Sequence, residues 1–280
     1  KGVAEFYRNY PNIKKGPDGK YHIHHVNSNE SVQGGCDPDE EIASIMGILP
    51  AVIKASEILG VDAEMRPVWK EFLDNLAPLP TGGDPPVWIR ALPPIFRGRG
   101  DGRPDGNTMP HWFFDLCTLE NDNPETMKIA NATMDGYLRG PSTRPGVLSK
   151  VGVTAAMMGR ADAVRYLLPN QLSFPDRAPI LANRMDQREG AQTANVERLG
   201  RIADTLHNAL IQSVAAGPAR EPVIRVFPAW HKEWDAVFTL LARGAFLVSS
   251  SMDAGQIEFV QIQSNAGGEC RLRNPWPGVP

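Results

Sequence analysis

The chain has 280 residues, 42% of them apolar, which suffices for a substantial core and excludes a peptide hormone, a disulfide knot and a disordered tail. Its formal net charge of -3 gives no broad basic surface, so we expect no nucleic-acid partner. The best apolar stretch, Ile42 to Leu59, contains Pro50, Lys54 and Glu57, so we expect no membrane span.

The first segment with a helical pattern begins after residue 36. Asp37 is a suitable N-cap, Pro38 suits the first helical position, and apolar residues recur at helical spacing as far as Leu59. A second helix is predicted to end before Pro78, which makes the two a helical hairpin. Glycines and prolines between 79 and 107 then predict a long loop.

Further helices are predicted downstream, separated by Pro or Gly breaks. They span 111–119, 124–138, 147–158, 161–168 and 193–216. After residue 222 the apolar period changes to two, which is typical of short strands. This order of predicted helices followed by strands predicts a mainly α fold, with a helical-hairpin toroid over 1–220 and a small antiparallel β unit over 221–280.

Several segments of this sequence, taken in chain order, resemble one known family. They are Ser28-Asn29-Glu30 ahead of the first long helix, Asp186-Gln187-Arg188-Glu189-Gly190, Ala209-Leu210-Ile211-Gln212-Ser213, Phe227-Pro228-Ala229-Trp230 and Ala242-Arg243-Gly244-Ala245-Phe246. They are similar to the Ser-Pro-Glu, Asp-Gly-Asn-Phe-Gly, Leu-Leu-Gln-Ser, Leu-Pro-Ala-Leu-Pro and Ala-Arg-Gly-Gly-Phe segments of glycoside hydrolase family 95. That family holds inverting α-L-fucosidases built on an (α/α)6 barrel.

The resemblance implies an (α/α)6, six-hairpin glycosidase fold and cleavage of a glycosidic bond by inversion. Glu30 matches the general acid of Ser-Pro-Glu, and Asp186 matches the Asp of Asp-Gly-Asn on the base side. About four helical hairpins can be counted, so we expect an incomplete toroid, the C-terminal part of a larger glycosidase. Its partners would be an oligosaccharide or polysaccharide and the missing N-terminal part of the same polypeptide. The resemblance also implies a secreted or periplasmic location.

A set of aromatic and polar side chains is predicted to bind this substrate, because flat rings stack on sugars and polar groups bond their hydroxyls. The set is His22, His24, Trp88, His111, Trp112 and Asp115. Core packing is the alternative for the rings, and a structural pair one helical turn apart is the alternative for His111 and Asp115.

The densest group of titratable side chains is formed by His22, His24 and His25. On a strand, His22 and His24 would face the same side, as two imidazoles of a metal site do. Zinc normally takes three or four protein ligands, and no third is identifiable. We therefore expect no metal and no cofactor.

Two other functions stay open beside the glycosidase. One is a polysaccharide lyase on a related α toroid, in which a His or Tyr abstracts a proton next to a uronate carboxylate. The other is a non-catalytic carbohydrate-binding remnant.

Overall fold

The computed structural model describes residues 1–28, 32–98, 109–138, 150–172, 196–276 and 278. The chain forms two compact units, one of Lys1–Leu138 with Ala215–Arg220 and the other of Arg139–Val214 with Glu221–Pro280. The division at residue 220 that the sequence suggests stays a prediction.

The first unit combines helices with short β-hairpins. Its elements are α1 (Gly2–Arg8), β1 (Ile13–Lys15), β2 (Tyr21–Ile23), β3 (Val26–Ser28), β4 (Val32–Gly35), α2 (Asp39–Leu59), α3 (Arg66–Asp74), β5 (Thr81–Gly82), β6 (Val87–Trp88) and α4 (Pro124–Leu138). The strands pair as antiparallel hairpins, β1 with β2, β3 with β4 and β5 with β6. Glycines and prolines favour turns, and they occupy the connection between β1 and β2 (Gly16, Pro17, Gly19) and that between β5 and β6 (Gly83, Pro85, Pro86).

The core of the first unit lies on the buried face of α2. Ile42, Ile45 and Leu49 of α2 join Trp69 and Phe72 of α3 in one hydrophobic cluster. This face follows the helical spacing seen in the sequence. The same cluster includes Ile23 of β2.

The helix α2 also has the length and composition of a membrane span. An 18-residue stretch of this 21-residue helix has a mean hydropathy of 1.7, and 33% of that stretch is buried. A single helix of this kind is weak evidence for a membrane, since core helices of water-soluble proteins meet the same criteria.

The second unit places helices ahead of an antiparallel β region. Its elements are α5 (Val151–Met157), α6 (Ala161–Leu172), α7 (Val196–Leu210), β7 (Ile211–Val214), β8 (Val223–Val226), β9 (Ala236–Ala242), β10 (Phe246–Asp253) and β11 (Gln256–Ser264). Strand β7 pairs with β8, and β10 lies between β9 and β11. Apolar residues from these strands, among them Ile211, Ile224 and Val248, form the core.

The predicted mainly α fold, an (α/α)6 toroid, is wrong. The described residues contain seven helices and eleven strands in small antiparallel sheets, about 38% helix and 24% strand. The segment predicted as a helix over 111–119 is instead a 3-10 turn at Met109–His111 followed by Phe114 and Asp115 with positive φ. Left-handed residues cannot continue an α-helix, so this segment does not form the predicted helix.

The predicted helix over 193–216 is also shorter at its C-terminal end than expected. It ends at Leu210, and the next four residues form β7, in which Ile211 lies opposite Val226 and Val214 opposite Val223. Branched side chains pack well on a pleated surface, so pairing with β8 competes with the helix here.

Candidate functional site

The two residues predicted to carry catalysis lie outside the described residues. They are Glu30 and Asp186. Their assignment as general acid and as the base-side carboxylate of an inverting reaction therefore stays a prediction.

His22 is held between two carboxylates at the β1–β2 hairpin. Its Nδ1 atom lies 2.6 Å from Asp37 Oδ2, and its Nε2 atom lies 3.1 Å from Asp18 Oδ2. The hydrogen bond to Asp37 is the main cause that raises the pKa of His22, partial burial opposes it, and Asp18 adds to the rise. Both ring nitrogens therefore already have partners.

His24 contacts a cysteine rather than a second carboxylate. Its Nδ1 atom lies 3.7 Å from the Cys36 sulfur, and its ring centroid lies 6.2 Å from that of His22. The described part of the chain contains no group of three or more His, Cys, Asp or Glu residues placed to hold a metal ion.

Trp88 and His111 meet in the core of the first unit. Their rings pack edge to face with centroids 4.8 Å apart, and the two residues are 3% and 0% exposed. The His111 Nε2 atom lies 3.0 Å from the Ala130 carbonyl oxygen, and the Trp88 backbone N–H donates to Thr133 Oγ1. In this conformation both rings face protein on all sides.

Trp112 and Asp115 are partly buried in the segment that follows. The Trp112 ring packs against Phe113 at 5.1 Å between centroids. Asp115 has φ 55°, so it does not lie one helical turn from His111. Their contact with a substrate stays a prediction.

A cavity of about 400 Å³ lies in the first unit, beside the histidine-rich segment. The side chains that line it are largely aromatic or apolar, with a few polar groups. They are Phe6, Tyr7, Tyr10, Ile13, Ile23, His25, Val26, Asn27 and Glu41. Concave sites with this mixture of ring surface and few polar atoms are typical of small-molecule binding.

The carboxyl group of this cavity is Glu41, in the first turn of α2. Its Oε2 atom is buried and has no hydrogen-bond partner among the described residues. Burial is the main cause that raises the pKa of Glu41 to about 7. A hydrogen bond from a backbone N–H of Glu41 itself opposes the rise, and the charge of Glu40 adds to it. At neutral pH both protonation states are therefore populated.

The charge of Glu41 acts on Tyr7, an aromatic residue of the same cavity. Burial is the main cause that raises the pKa of Tyr7, the charge of Glu41 adds to the rise, and a hydrogen bond with the Ser44 side chain opposes it. Phe6 packs against both tyrosines, with ring centroids 5.5 Å from Tyr7 and 5.3 Å from Tyr10. The three rings form one aromatic wall.

Sequence reasoning missed this wall and Glu41. One pattern could have indicated the carboxyl: Glu41 lies four residues before the buried Ile45, on the same side of the helix. An acid on the apolar side of a helix is unusual, because ionised carboxylates are costly to bury. The aromatic residues come from a short N-terminal segment without a long apolar period.

No family model matches this chain, and no curated protein matches it significantly. The similarity to glycoside hydrolase family 95 therefore stays a hypothesis that depends on the sequence segments named above.

Proposed function

We propose that the chain is a glycoside hydrolase that cleaves an oligosaccharide or polysaccharide by inversion. The observation that supports this most is the cavity described above, which is lined by an aromatic wall, a carboxyl group and polar atoms. Sugar rings present apolar faces to aromatic side chains and hydroxyls to polar ones, so this lining suits a sugar. Its residue Asn27 precedes the proposed acid, Glu30, by three positions in the sequence.

In this proposal the two carboxyl groups act on opposite faces of the bond. Glu30 protonates the glycosidic oxygen, and Asp186 takes a proton from the attacking water. Such a general acid must be protonated and the base ionised before the reaction, as in other inverting glycosidases. The products are two sugars, with the configuration inverted at the cleaved carbon.

A polysaccharide lyase is the second candidate, and the tyrosines of the same cavity favour it. Tyr7 and Tyr10 line the cavity with His25, and both residue types abstract or donate protons in elimination reactions. A lyase forms a new C=C bond next to the carboxylate, so its product absorbs in the ultraviolet. Unlike a hydrolase, it does not consume water.

The decisive experiment is a turnover assay on a panel of neutral and acidic oligosaccharides. We expect reducing sugar to be released without ultraviolet absorbance, and NMR of the fresh product to show the inverted anomer. Glu30→Gln should lower kcat by at least about a hundredfold, whereas Glu57→Gln, an exposed change on α2, should not affect it. Cleavage with a gain in ultraviolet absorbance would favour the lyase, since elimination also leaves a new reducing end and differs from hydrolysis by its C=C bond. Binding without turnover would favour the non-catalytic module.

A further inference from the structure

One oxygen of the Glu41 carboxyl group lacks a partner among the described residues that would stabilise its charge. That oxygen is buried without a hydrogen bond from them, although the residue lines an open cavity. A buried carboxylate is normally paired or hydrogen-bonded, because desolvation of a lone charge is costly. This arrangement leaves room for a ligand that supplies the missing charge or donor.

The other groups that face the cavity favour a positive charge over a negative one. Among the described residues that line it there is no lysine or arginine, and Tyr7, Tyr10 and His25 are the remaining titratable side chains. Outside the cavity lining, the first turn of α2 carries Asp39 and Glu40 beside Glu41, and these two neighbouring carboxylates offset the roughly half positive charge of the helix N-terminus.

The aromatic wall adds a second attraction for a cation. The Phe6 ring centroid lies 5.5 Å from that of Tyr7 and 5.3 Å from that of Tyr10, and all three rings line the same cavity as the carboxyl group. The negative face of an aromatic ring attracts ammonium groups within about 6 Å. Rings combined with a carboxylate are therefore a suitable cage for an organic ammonium ion.

We propose that this cavity binds the ammonium group of an amino sugar, with Glu41 as its counter-ion and the rings of Phe6, Tyr7 and Tyr10 as its cage. The sugar part of this proposal rests on the proposed glycoside hydrolase function, whereas the cation site does not. Glu41 then determines substrate specificity and takes no part in the proton transfers assigned to Glu30 and Asp186.

The proposal predicts that ligand binding and proton release are coupled. A cation beside Glu41 favours its ionised form and lowers its pKa. Because that pKa is about 7 in the empty cavity, binding at pH 7 should release up to about half a proton per ligand. Tetramethylammonium is charged at every pH, so any proton released when it binds comes from the protein.

The experiment is isothermal titration calorimetry at pH 7 in two buffers of different ionisation enthalpy. The ligands are tetramethylammonium, glucosamine and glucose. We expect glucosamine to bind at least about tenfold more tightly than glucose, and tetramethylammonium to release protons. Glu41→Gln should abolish both the preference and most of the release, whereas Glu57→Gln should change neither.

A second variant tests the aromatic cage. Phe6 is 57% exposed, so Phe6→Leu should leave the fold intact while removing a ring face. We expect a loss of about threefold to tenfold in tetramethylammonium affinity. Circular dichroism of each variant checks that it is folded.

The outcomes separate this proposal from the proposed function. Equal affinity for glucosamine and glucose, or unchanged proton release in Glu41→Gln, would overturn the cation site even if the chain hydrolyses glycosides. Loss of turnover on neutral glycosides in Glu41→Gln would instead assign Glu41 to proton transfer. Cation binding without any hydrolysis would retain the site and overturn the glycosidase.

Discussion

The Nδ1 atom of His22 lies 2.6 Å from Asp37 Oδ2, and this contact joins β2 to the residue that precedes α2 by two positions. The other oxygen of Asp37 accepts the backbone N–H of Ile23 at 2.8 Å. Asp37 is 3% exposed and has φ 44°. A single buried carboxylate thus stabilises both the backbone and the imidazole of the strand.

We predict that this pair makes stability depend on pH. The pKa of His22 is raised above its ordinary 6.5, so the folded state binds a proton more tightly than the unfolded state. The stabilisation is therefore fully present below about pH 6.5 and is lost as the pH rises through the folded pKa. Asp37→Asn should remove most of it, because asparagine keeps an oxygen for Ile23 and tolerates positive φ.

Denaturant unfolding of the wild type and Asp37→Asn across this pH range measures the effect, and NMR titration follows the His22 ring. Asp18→Asn is the matched control, since its carboxylate bonds the same ring but is exposed, and solvent screens exposed pairs. A stability difference for Asp37→Asn that is the same at every pH would contradict the prediction.

We predict that Glu41 destabilises the fold as the pH rises. The ordinary pKa of a glutamate is 4.5, and that of Glu41 in the folded chain is about 7. Between these two pH values the folded state binds more protons than the unfolded state, so the free energy of unfolding falls as the pH rises. Glu41→Gln should remove this fall and gain up to about 3 kcal/mol above pH 7. Denaturant unfolding of the wild type and Glu41→Gln at several pH values tests this, with Glu57→Gln as control. If the free energies of unfolding of the wild type and Glu41→Gln changed with pH in the same way, the prediction would be refuted.

A glycine of α2 is expected to be intolerant of any side chain. A Cβ at Gly47 would lie 2.2 Å from Cγ of the Phe114 ring, so Gly47→Ala should cost about 1–3 kcal/mol through overpacking. Adding Phe114→Ala should reduce the cost of the alanine, because the clash disappears. Thermal and urea unfolding of the single and double variants measure the coupling.

Gly200 is the control for this substitution. It lies in α7, and a Cβ there meets no atom within 4 Å. Gly200→Ala should stabilise the chain by about 0.5–1 kcal/mol through helix propensity alone. If both alanines had the same effect, the contact with Phe114 would not be the cause.

The three cysteines should differ in reactivity. Burial raises the pKa of the Cys117 thiol to about 12, and only thiolates react readily with alkylating reagents. Cys270 is exposed and Cys36 partly exposed. Mass spectrometry after brief native labelling should find Cys270 and Cys36 modified and Cys117 intact, with all three modified in denaturant. Rapid native labelling of Cys117 would contradict its burial.

Parts of the fold follow from the sequence because the signal is local. The apolar spacing of α2 predicts a helix that ends at Leu59, and the structure places Gly60 there with φ 67°. The alternation after residue 222 predicts strands, and β8, β9, β10 and β11 lie in that region. Both patterns arise because one face of each element must be buried.

Asp37 shows where such local reasoning fails. As an acid just before a proline and an apolar run, it predicts an N-cap, yet the cap position is Pro38 and no side chain caps the helix. The carboxylate bonds β2 instead. A partner 14 or 15 residues away competes with the local hydrogen bond, and local sequence cannot reveal which one is preferred.

The sequence alone determined the amphipathic helix α2, its end before Gly60 and the strands after residue 222, because each depends on neighbours a few residues apart. Only the tertiary structure decided that the chain is a mixture of helices and small antiparallel sheets, and that Glu41 lines one cavity with the rings of Phe6, Tyr7 and Tyr10. Those features depend on pairing between distant segments, such as β7 with β8 and α1 with α2. The burial that raises the pKa of Glu41 exists only once these segments have packed together.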